Sequence, residues 1–110
     1  MMEYCADWLA DRGFAVQRHR YREEHVTGFA GENLLVSVAG RPGGPTICLN
    51  GHLDTVPVCA GWIRDPLHAV REGDRLYGLG AADMKGGCLA LMLALERLVR
   101  EPSGFAGQVI

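Results

Sequence analysis

The sequence lacks an excess of charge of either sign. Its 110 residues include 11 Lys or Arg and 13 Asp or Glu, which gives a formal net charge of −2. Proteins that bind nucleic acid or anionic membranes usually carry a basic patch. The most basic stretch, "RHRYREEH" at 18–25, is balanced by two glutamates. The charge pattern therefore argues against both kinds of partner.

Long apolar runs and targeting signals are missing as well. No apolar stretch approaches the ~20 residues of a membrane-spanning helix. The first residues, "MMEYCADWLADRG", are amphipathic and acidic rather than basic and then apolar. Cys-x-x-Cys spacing is also absent, and three of the four cysteines lie in apolar segments where a small thiol side chain can be buried. We therefore expect a cytoplasmic protein with free thiols.

Hydrophobic residues make up 48% of the chain, enough for one small domain with a packed core. Strand and helix patterns alternate, which is typical of an α/β fold. The patterns predict helices at 1–12 and from after 87 to about 100, a hairpin at 68–78, and strands at 14–18, 33–38, 46–50 and from 108 onward. The strand at 46–50 is expected at the centre of a sheet, after a turn at "GRPGG", and the second helix is expected to be buried. Because the last strand begins and does not finish, we expect a truncated domain.

The stretch "GHLDT" at 51–55 places a histidine and an aspartate two residues apart. In a strand, residues i and i+2 point to the same face, so His52 and Asp54 would project together at a strand end, where α/β folds place ligands. The imidazole could bind a metal ion while Asp54 fixes its tautomer from behind. On these two residues alone, a polar strand end is the stronger interpretation.

The stretch "YGLGAADMKGG" at 77–87 places Asp83 immediately before the second helix. An aspartate there can simply cap the helix by accepting hydrogen bonds from its first N–H groups. The stretch contains more glycine than a cap needs, however, and glycine allows unusual backbone angles and close approach. A carboxylate held in such a turn, beside His52, is a candidate metal ligand.

Two nucleotide-binding motifs fit this stretch poorly. A phosphate loop needs Ser or Thr after its lysine, and Lys85 is followed by Gly86. A dinucleotide fingerprint needs glycine at the position of Asp83, whose carboxylate would repel a pyrophosphate. A nucleotide-binding α/β module is therefore the weaker alternative.

The remaining histidines and the lysine receive ordinary interpretations. His19, His25 and His68 lie in polar contexts without partners at metal-ligand spacing, and we expect them on the surface. Lys85 is expected to be a solvated lysine at the start of the helix. His52 is thus the one histidine with a predicted role.

Three segments together are far more specific than any one of them. "GHLDTVP", "GWIRDPL" and "DRLYGLGAADMKGG", in this order and spacing, resemble the di-zinc amidohydrolase and metallopeptidase family of acetylornithine deacetylase, succinyl-diaminopimelate desuccinylase, aminoacylase and carboxypeptidase G-type peptidases. The resemblance is strong over about 45–110 and weaker before that. It implies that residues 1–110 are the N-terminal part of a zinc-peptidase-like catalytic domain, a mixed sheet flanked by helices, without the lid and dimerisation domain.

The resemblance also implies roles for three residues. His52 would bind one of two Zn²⁺ ions, Asp83 would bridge both ions, and Asp54 would orient His52 and count as a catalytic residue. Co²⁺ or Mn²⁺ could replace zinc, since a site of histidine and carboxylate accepts several metals. The family also tends to have a cis peptide bond after the bridging aspartate, here between Asp83 and Met84.

The reaction that the resemblance implies is metal-assisted hydrolysis of the amide bond of an N-acyl amino acid or small peptide. The substrate is a small molecule, and the full-length enzyme would be able to form a homodimer. In the family a glutamate takes the proton of the attacking water, and it belongs to a Glu-Glu pair beyond residue 110. We therefore expect the 110 residues alone to be inactive, and a non-catalytic orphan fragment with the same fold stays open as an alternative.

Overall fold

The computed structural model describes residues 1–110, which form two helices and seven strands. In chain order the elements are α1 (Met2–Ala10), β1 (Val16–Arg22), β2 (Ala30–Val36), β3 (Val38–Ala39), β4 (Arg41–Ile47), β5 (Val70–Glu72), β6 (Arg75–Tyr77), α2 (Gly86–Arg100) and β7 (Ala106–Val109). The residues fall into two compact units: unit 1 is Met1–Leu49 with Leu95–Ile110, and unit 2 is Asn50–Ala94.

Unit 1 contains a mixed sheet and the buried apolar side chains. β7 is the central strand of the order β3-β7-β4, antiparallel to β3 and parallel to β4. A separate antiparallel pair joins β1 to β2. The buried hydrophobic side chains all belong to this unit: Cys5, Ala6, Leu9, Leu95 and Val109. The predicted α/β class and mixed sheet are therefore confirmed.

Helix α1 follows from its pattern of apolar side chains. Cys5 and Leu9 are one helical turn apart, so they share a face, and both are buried. The chain leaves the helix at Gly13, whose φ of +85° favours glycine. Beyond the helix, Arg12 Nε lies 3.2 Å from a carboxylate oxygen of Glu96 near the C-terminal end of α2. The predicted helix and its stop signal are confirmed.

The predicted turn at "GRPGG" is wrong, and so is the central position of the strand that follows it. β4 includes this stretch, is exposed along its whole length and pairs only with β7, which makes it an edge strand. Gly40 and Gly44 of this stretch serve close approach instead of chain reversal, since a Cβ on either would overlap backbone atoms of Phe105 or Ala106. Gly107 on β7 has a φ of +98°, and a Cβ there would overlap the carbonyl oxygen of Pro45 on β4.

Unit 2 contains the predicted hairpin of β5 and β6, which reverses at Gly73 with a φ of +62°. The loop before the hairpin is held to it by Arg64. Its guanidinium donates two hydrogen bonds to the carboxylate of Glu72, one from Nε at 2.8 Å, and lies 4.0 Å from the ring centre of Tyr77. These contacts give the 59–64 loop a defined path beside the hairpin.

Helix α2 spans the predicted residues, but the expectation that it is buried is wrong. Leu89 is 52% exposed and Leu93 is 47% exposed, and Leu95 is its one buried residue. An apolar pattern on all sides favours burial, but burial itself requires other elements to cover the helix. No element of the described chain covers this face. Neither helix has the length and apolar character that crossing a membrane would require.

Candidate metal centre

His52 and Asp54 lie in a segment of unit 2 that has no regular secondary structure. β4 ends at Ile47, so the prediction that these two side chains share one face of a strand is wrong. Their side chains nevertheless meet, with Nδ1 of the imidazole directed at Asp54. His52 Nδ1 lies 3.3 Å from the backbone oxygen of Asp54 and 3.2 Å from its carboxylate Oδ1.

The contact with Asp54 favours one tautomer of a neutral His52. A backbone carbonyl and a carboxylate can only accept a hydrogen bond, so this contact is favourable when Nδ1 carries the proton. The lone pair of the neutral imidazole is then on Nε2. This is the arrangement in which a histidine presents Nε2 to a metal ion while a carboxylate holds the other side of the ring.

Asp83 lies in an irregular turn, Ala81–Lys85, that leads directly into α2. The backbone at Asp83 and Met84 is not helical, and the peptide bond between them is cis, as the resemblance implied. The carboxylate accepts no hydrogen bond from the first N–H groups of α2, so the helix-cap interpretation is wrong for this residue. The turn begins at Gly80, whose φ of +77° favours glycine.

The turn brings Asp83 to the free side of the His52 ring. Nε2 of His52 lies 3.2 Å from Oδ1 of Asp83. With Nδ1 protonated, two electron-rich atoms face each other, which is stable only with a proton or a metal ion between them. Two ligands of one Zn²⁺, each ~2.0–2.1 Å from the ion, are about 3.3 Å apart at a tetrahedral angle. The residues therefore fit a shared divalent ion.

The centre is open and incomplete as a metal cage. The side chain of His52 is 49% exposed and that of Asp83 is 86% exposed. No group of three or more His, Cys, Asp or Glu side chains in the structure is arranged to hold a metal ion. Asp54 lies behind the imidazole, so His52 and Asp83 are the two side chains that face each other across the candidate position.

The backbone of the His52 segment is held by α2. The thiol of Cys88, in the first turn of the helix, donates a hydrogen bond to the carbonyl oxygen of His52 at 3.2 Å. Gly51 fits closely beside it, since a Cβ at this position would lie 2.8 Å from Cys88 Sγ and 3.2 Å from Met84 Cε. Sequence reasoning missed this role of Cys88, because an isolated cysteine in an apolar helix looks like an ordinary core residue.

Lys85 is not the solvated lysine that was predicted. It is half-buried, and its Nζ donates a hydrogen bond to the carbonyl oxygen of Leu79 at 3.3 Å. The side chain lies against Gly80 and Thr55, in space that a side chain at Gly80 would fill. The lysine thus closes the turn that carries Asp83.

The other three histidines lie at the surface, as predicted. His68 is 82% exposed, and its Nδ1 lies 2.7 Å from Oδ2 of Asp65. The Leu67 backbone N–H, and after it His68, hold the pKa of the Asp65 carboxyl below its usual value. His19 stacks on Tyr21 with ring centres 6.3 Å apart. His68 with Asp65 is a second histidine–aspartate pair, without a further carboxylate on the free side of the ring.

A family comparison covers the segments that carry this site. The family described as Peptidase family M20/M25/M40 matches residues 48–110, which include both sides of the candidate centre. The chain belongs to this family of hydrolases, whose members are generally metal-dependent. The resemblance found in the three sequence segments is therefore confirmed.

Individual relatives extend the match toward the N-terminus. Succinyl-diaminopimelate desuccinylase of Parvibaculum lavamentivorans is 39% identical over 104 residues, which cover 93% of this chain and 25% of the relative. The enzyme of the same name from Gluconobacter oxydans is 51% identical over 59 residues, or 54% of this chain and 16% of the relative. Acetylornithine deacetylase of Shigella sonnei is 43% identical over 88 residues, 78% of this chain and 21% of the relative. The chain thus spans a quarter or less of these relatives' length.

Proposed function

We propose that this chain supplies one histidine and one bridging carboxylate to the metal centre of a zinc-dependent amidohydrolase that cleaves N-acyl amino acids or small peptides. The observation that carries the proposal is the position of His52, with Nδ1 on Asp54 and Nε2 3.2 Å from Asp83. The relatives' names support the substrate class, because a desuccinylase and a deacetylase are both named for removing an acyl group. Three further expectations stay predictions. They are that residues 1–110 form the N-terminal part of a catalytic domain, that the protein is cytoplasmic, and that the full-length enzyme is a homodimer.

Each of the three side chains has a separate task in this proposal. His52 binds the ion through Nε2, and Asp54 keeps the ring in the required tautomer and orientation. Asp83 contributes Oδ1 beside His52, and its high exposure leaves its second oxygen accessible to a second ion. When bound, the metal would polarise the scissile carbonyl and increase the acidity of a water molecule.

For the 110 residues alone, we propose metal binding without turnover. Catalytic zinc sites generally have three protein ligands, and this chain brings two to the candidate position. None of the three side chains is free to act as the general base, since all three are engaged in holding the ion or the ring. We therefore expect weak zinc binding and no hydrolysis of N-acetyl or N-succinyl amino acids.

The test is a Zn²⁺ titration of the isotopically labelled chain, followed through the imidazole NMR signals. The sequence contains four histidines, so three of them serve as internal controls. We expect the His52 signals to shift and saturate, while those of His19, His25 and His68 respond little. Asp83→Ala should weaken binding at His52 at least about tenfold, and Asp54→Ala by a smaller factor.

The matched control is Asp65→Ala, which removes the carboxylate of the other histidine–aspartate pair. It should leave zinc binding at His52 unchanged. Equal responses of all four histidines, or unchanged binding in Asp83→Ala, would contradict the proposal. Binding of ADP or pyrophosphate lost in Gly80→Ala would favour the nucleotide-binding alternative instead. Hydrolysis of N-acyl amino acids by the purified chain would contradict the part of the proposal that excludes turnover.

A further inference from the structure

We propose that Cys88 is a positioning residue that fixes His52 opposite Asp83. The inference rests on the proposed metal centre for its functional meaning. Cys88 is 36 positions away from His52 in the sequence, yet its thiol donates a hydrogen bond to the His52 carbonyl oxygen at 3.2 Å. Cys88 is not itself a proposed ligand and acts through the backbone of His52.

The thiol of Cys88 is the hydrogen-bonding partner of the His52 backbone, at its carbonyl oxygen. The segment lies outside the strands, and no backbone–backbone hydrogen bond of the structure involves His52. A carbonyl outside regular secondary structure gains a defined direction when a side chain donates to it. Cys88 therefore holds the peptide from which the imidazole projects.

Shape adds a second constraint at the preceding residue. Gly51 lies so close to Cys88 Sγ that a Cβ on it would be 2.8 Å from the sulfur. The same sulfur thus borders the residue before His52 and donates to His52 itself. A side chain at position 51 would therefore push the segment away from α2 and from this hydrogen bond.

The position of Cys88 in the helix connects the two sides of the centre. It lies in the first turn of α2, and α2 begins directly after the turn that carries Asp83. Asp54 controls the ring of His52, and Cys88 controls its backbone. The start of α2 therefore positions both sides of the 3.2 Å approach between His52 and Asp83.

The experiment compares Cys88→Ala and Cys88→Ser with Cys59→Ala as the matched control. Cys59 is an exposed thiol of the same unit. Serine keeps a donor at this position, and alanine removes it without adding bulk. In the Zn²⁺ titration read at the His52 ring, we expect Cys88→Ala to weaken binding by about two- to fivefold, since one modest hydrogen bond is lost. Cys88→Ser should restore most of the affinity, and Cys59→Ala should leave it unchanged.

A metal-free measurement separates this inference from the proposed function. At about pH 8, where imidazole is neutral, the ring ¹⁵N shifts report which nitrogen carries the proton. We expect Cys88→Ala to move the His52 shifts toward tautomer averaging and Cys88→Ser to return them. If these shifts change as expected but zinc does not bind at His52, the proposed function fails and the positioning role stands.

Two results would overturn the inference. The first is a Cys88→Ala chain with both the zinc affinity and the ring shifts of the original; a lower melting temperature alongside them would make Cys88 a packing residue only. The second is an equal loss in Cys88→Ala and Cys88→Ser, which would show that the donor is not what matters.

Discussion

Gly51 lies against the first turn of α2, and its replacement by alanine tests the packing of the His52 segment directly. The new Cβ would lie 2.8 Å from Cys88 Sγ, 3.2 Å from Met84 Cε and 3.6 Å from Leu91 Cδ1. Ordinary contact begins at 3.4 Å, so the sulfur is about 0.6 Å too close. The φ of Gly51 is not positive, so alanine adds no backbone strain and the effect is one of shape alone.

The magnitude follows from which neighbour can move. An extra methyl group in a packed site costs about 1–3 kcal/mol in the free energy of unfolding. Met84 Cε is the end of a flexible side chain and can give way. Cys88 Sγ is one bond from Cβ on the helix, so it can move only by a rotamer change that breaks its hydrogen bond to His52. Because Gly51 is exposed on its other side, we expect Gly51→Ala to cost about 1–2 kcal/mol.

Urea unfolding measures this cost, with Gly78→Ala as the matched control. The nearest atom to a Cβ on Gly78 is 3.8 Å away, and its φ is also not positive. Both variants restrict the unfolded chain in the same way, so their difference isolates the contact. Gly78→Ala should change the free energy of unfolding by less than about 0.5 kcal/mol.

A double variant identifies the responsible atom. In a Cys88→Ala background the sulfur is absent, so Gly51→Ala should cost about 1 kcal/mol less than in the original chain. Unfolding of Gly51→Ala at the original urea midpoint would refute the reasoning. So would an equal cost of Gly51→Ala in both backgrounds, because the sulfur would then not be the obstacle.

Two further predictions concern unit 1. The Glu23 carboxylate accepts hydrogen bonds from the backbone and hydroxyl of Thr27 and from the N–H groups of Val26 and His25, and these lower its pKa from 4.5 to about 2. Because the folded pKa is the lower one, the stabilisation is complete above about pH 4.5 and is lost as the pH falls through about 2. Amide exchange at 25–27 should be faster in Glu23→Gln at neutral pH, and a difference that stays undiminished at pH 2 would contradict this. Gly107→Ala should cost about 3 kcal/mol in urea unfolding, from left-handed strain plus overlap with β4. Gly104 also has a positive φ, +63°, but it has open space around it, so Gly104→Ala should cost about 1 kcal/mol. Equal costs of Gly107→Ala and Gly104→Ala would refute the overlap with β4.

Elements with a strong local pattern were predictable from the sequence. The helix at 1–12 and the hairpin reversing at Gly73 are present in the structure, and so are α2 and the strand that includes Gln108. Each depends on residues within a few positions of one another, whose spacing or turn chemistry is decided by the covalent chain. The path of β4 was not predictable, because its glycines are needed for contact with β7, which lies some 60 positions later in the sequence.

The candidate site was predictable as a set of residues and not as an arrangement. Histidine and aspartate at 52 and 54, with an aspartate in a glycine-rich turn, identified the family segments before any geometry was known. The strand geometry proposed for His52 and Asp54 was wrong. The two side chains meet instead because Nδ1 of His52 approaches the backbone and carboxylate oxygens of Asp54. The alternative of Asp83 as a simple helix cap could be decided only by the direction of its carboxylate.

The sequence by itself determined the class of the protein, because residue types and spacings are properties of the covalent chain. It determined the small net charge, the α/β pattern and the three segments that identify the hydrolase family. Tertiary structure alone decided that the thiol of Cys88 meets the His52 carbonyl and that Nε2 of His52 faces Asp83. It also decided that Leu89 and Leu93 stay exposed. Such contacts join positions tens of residues apart, so they depend on the path of the whole chain and leave no local pattern to read.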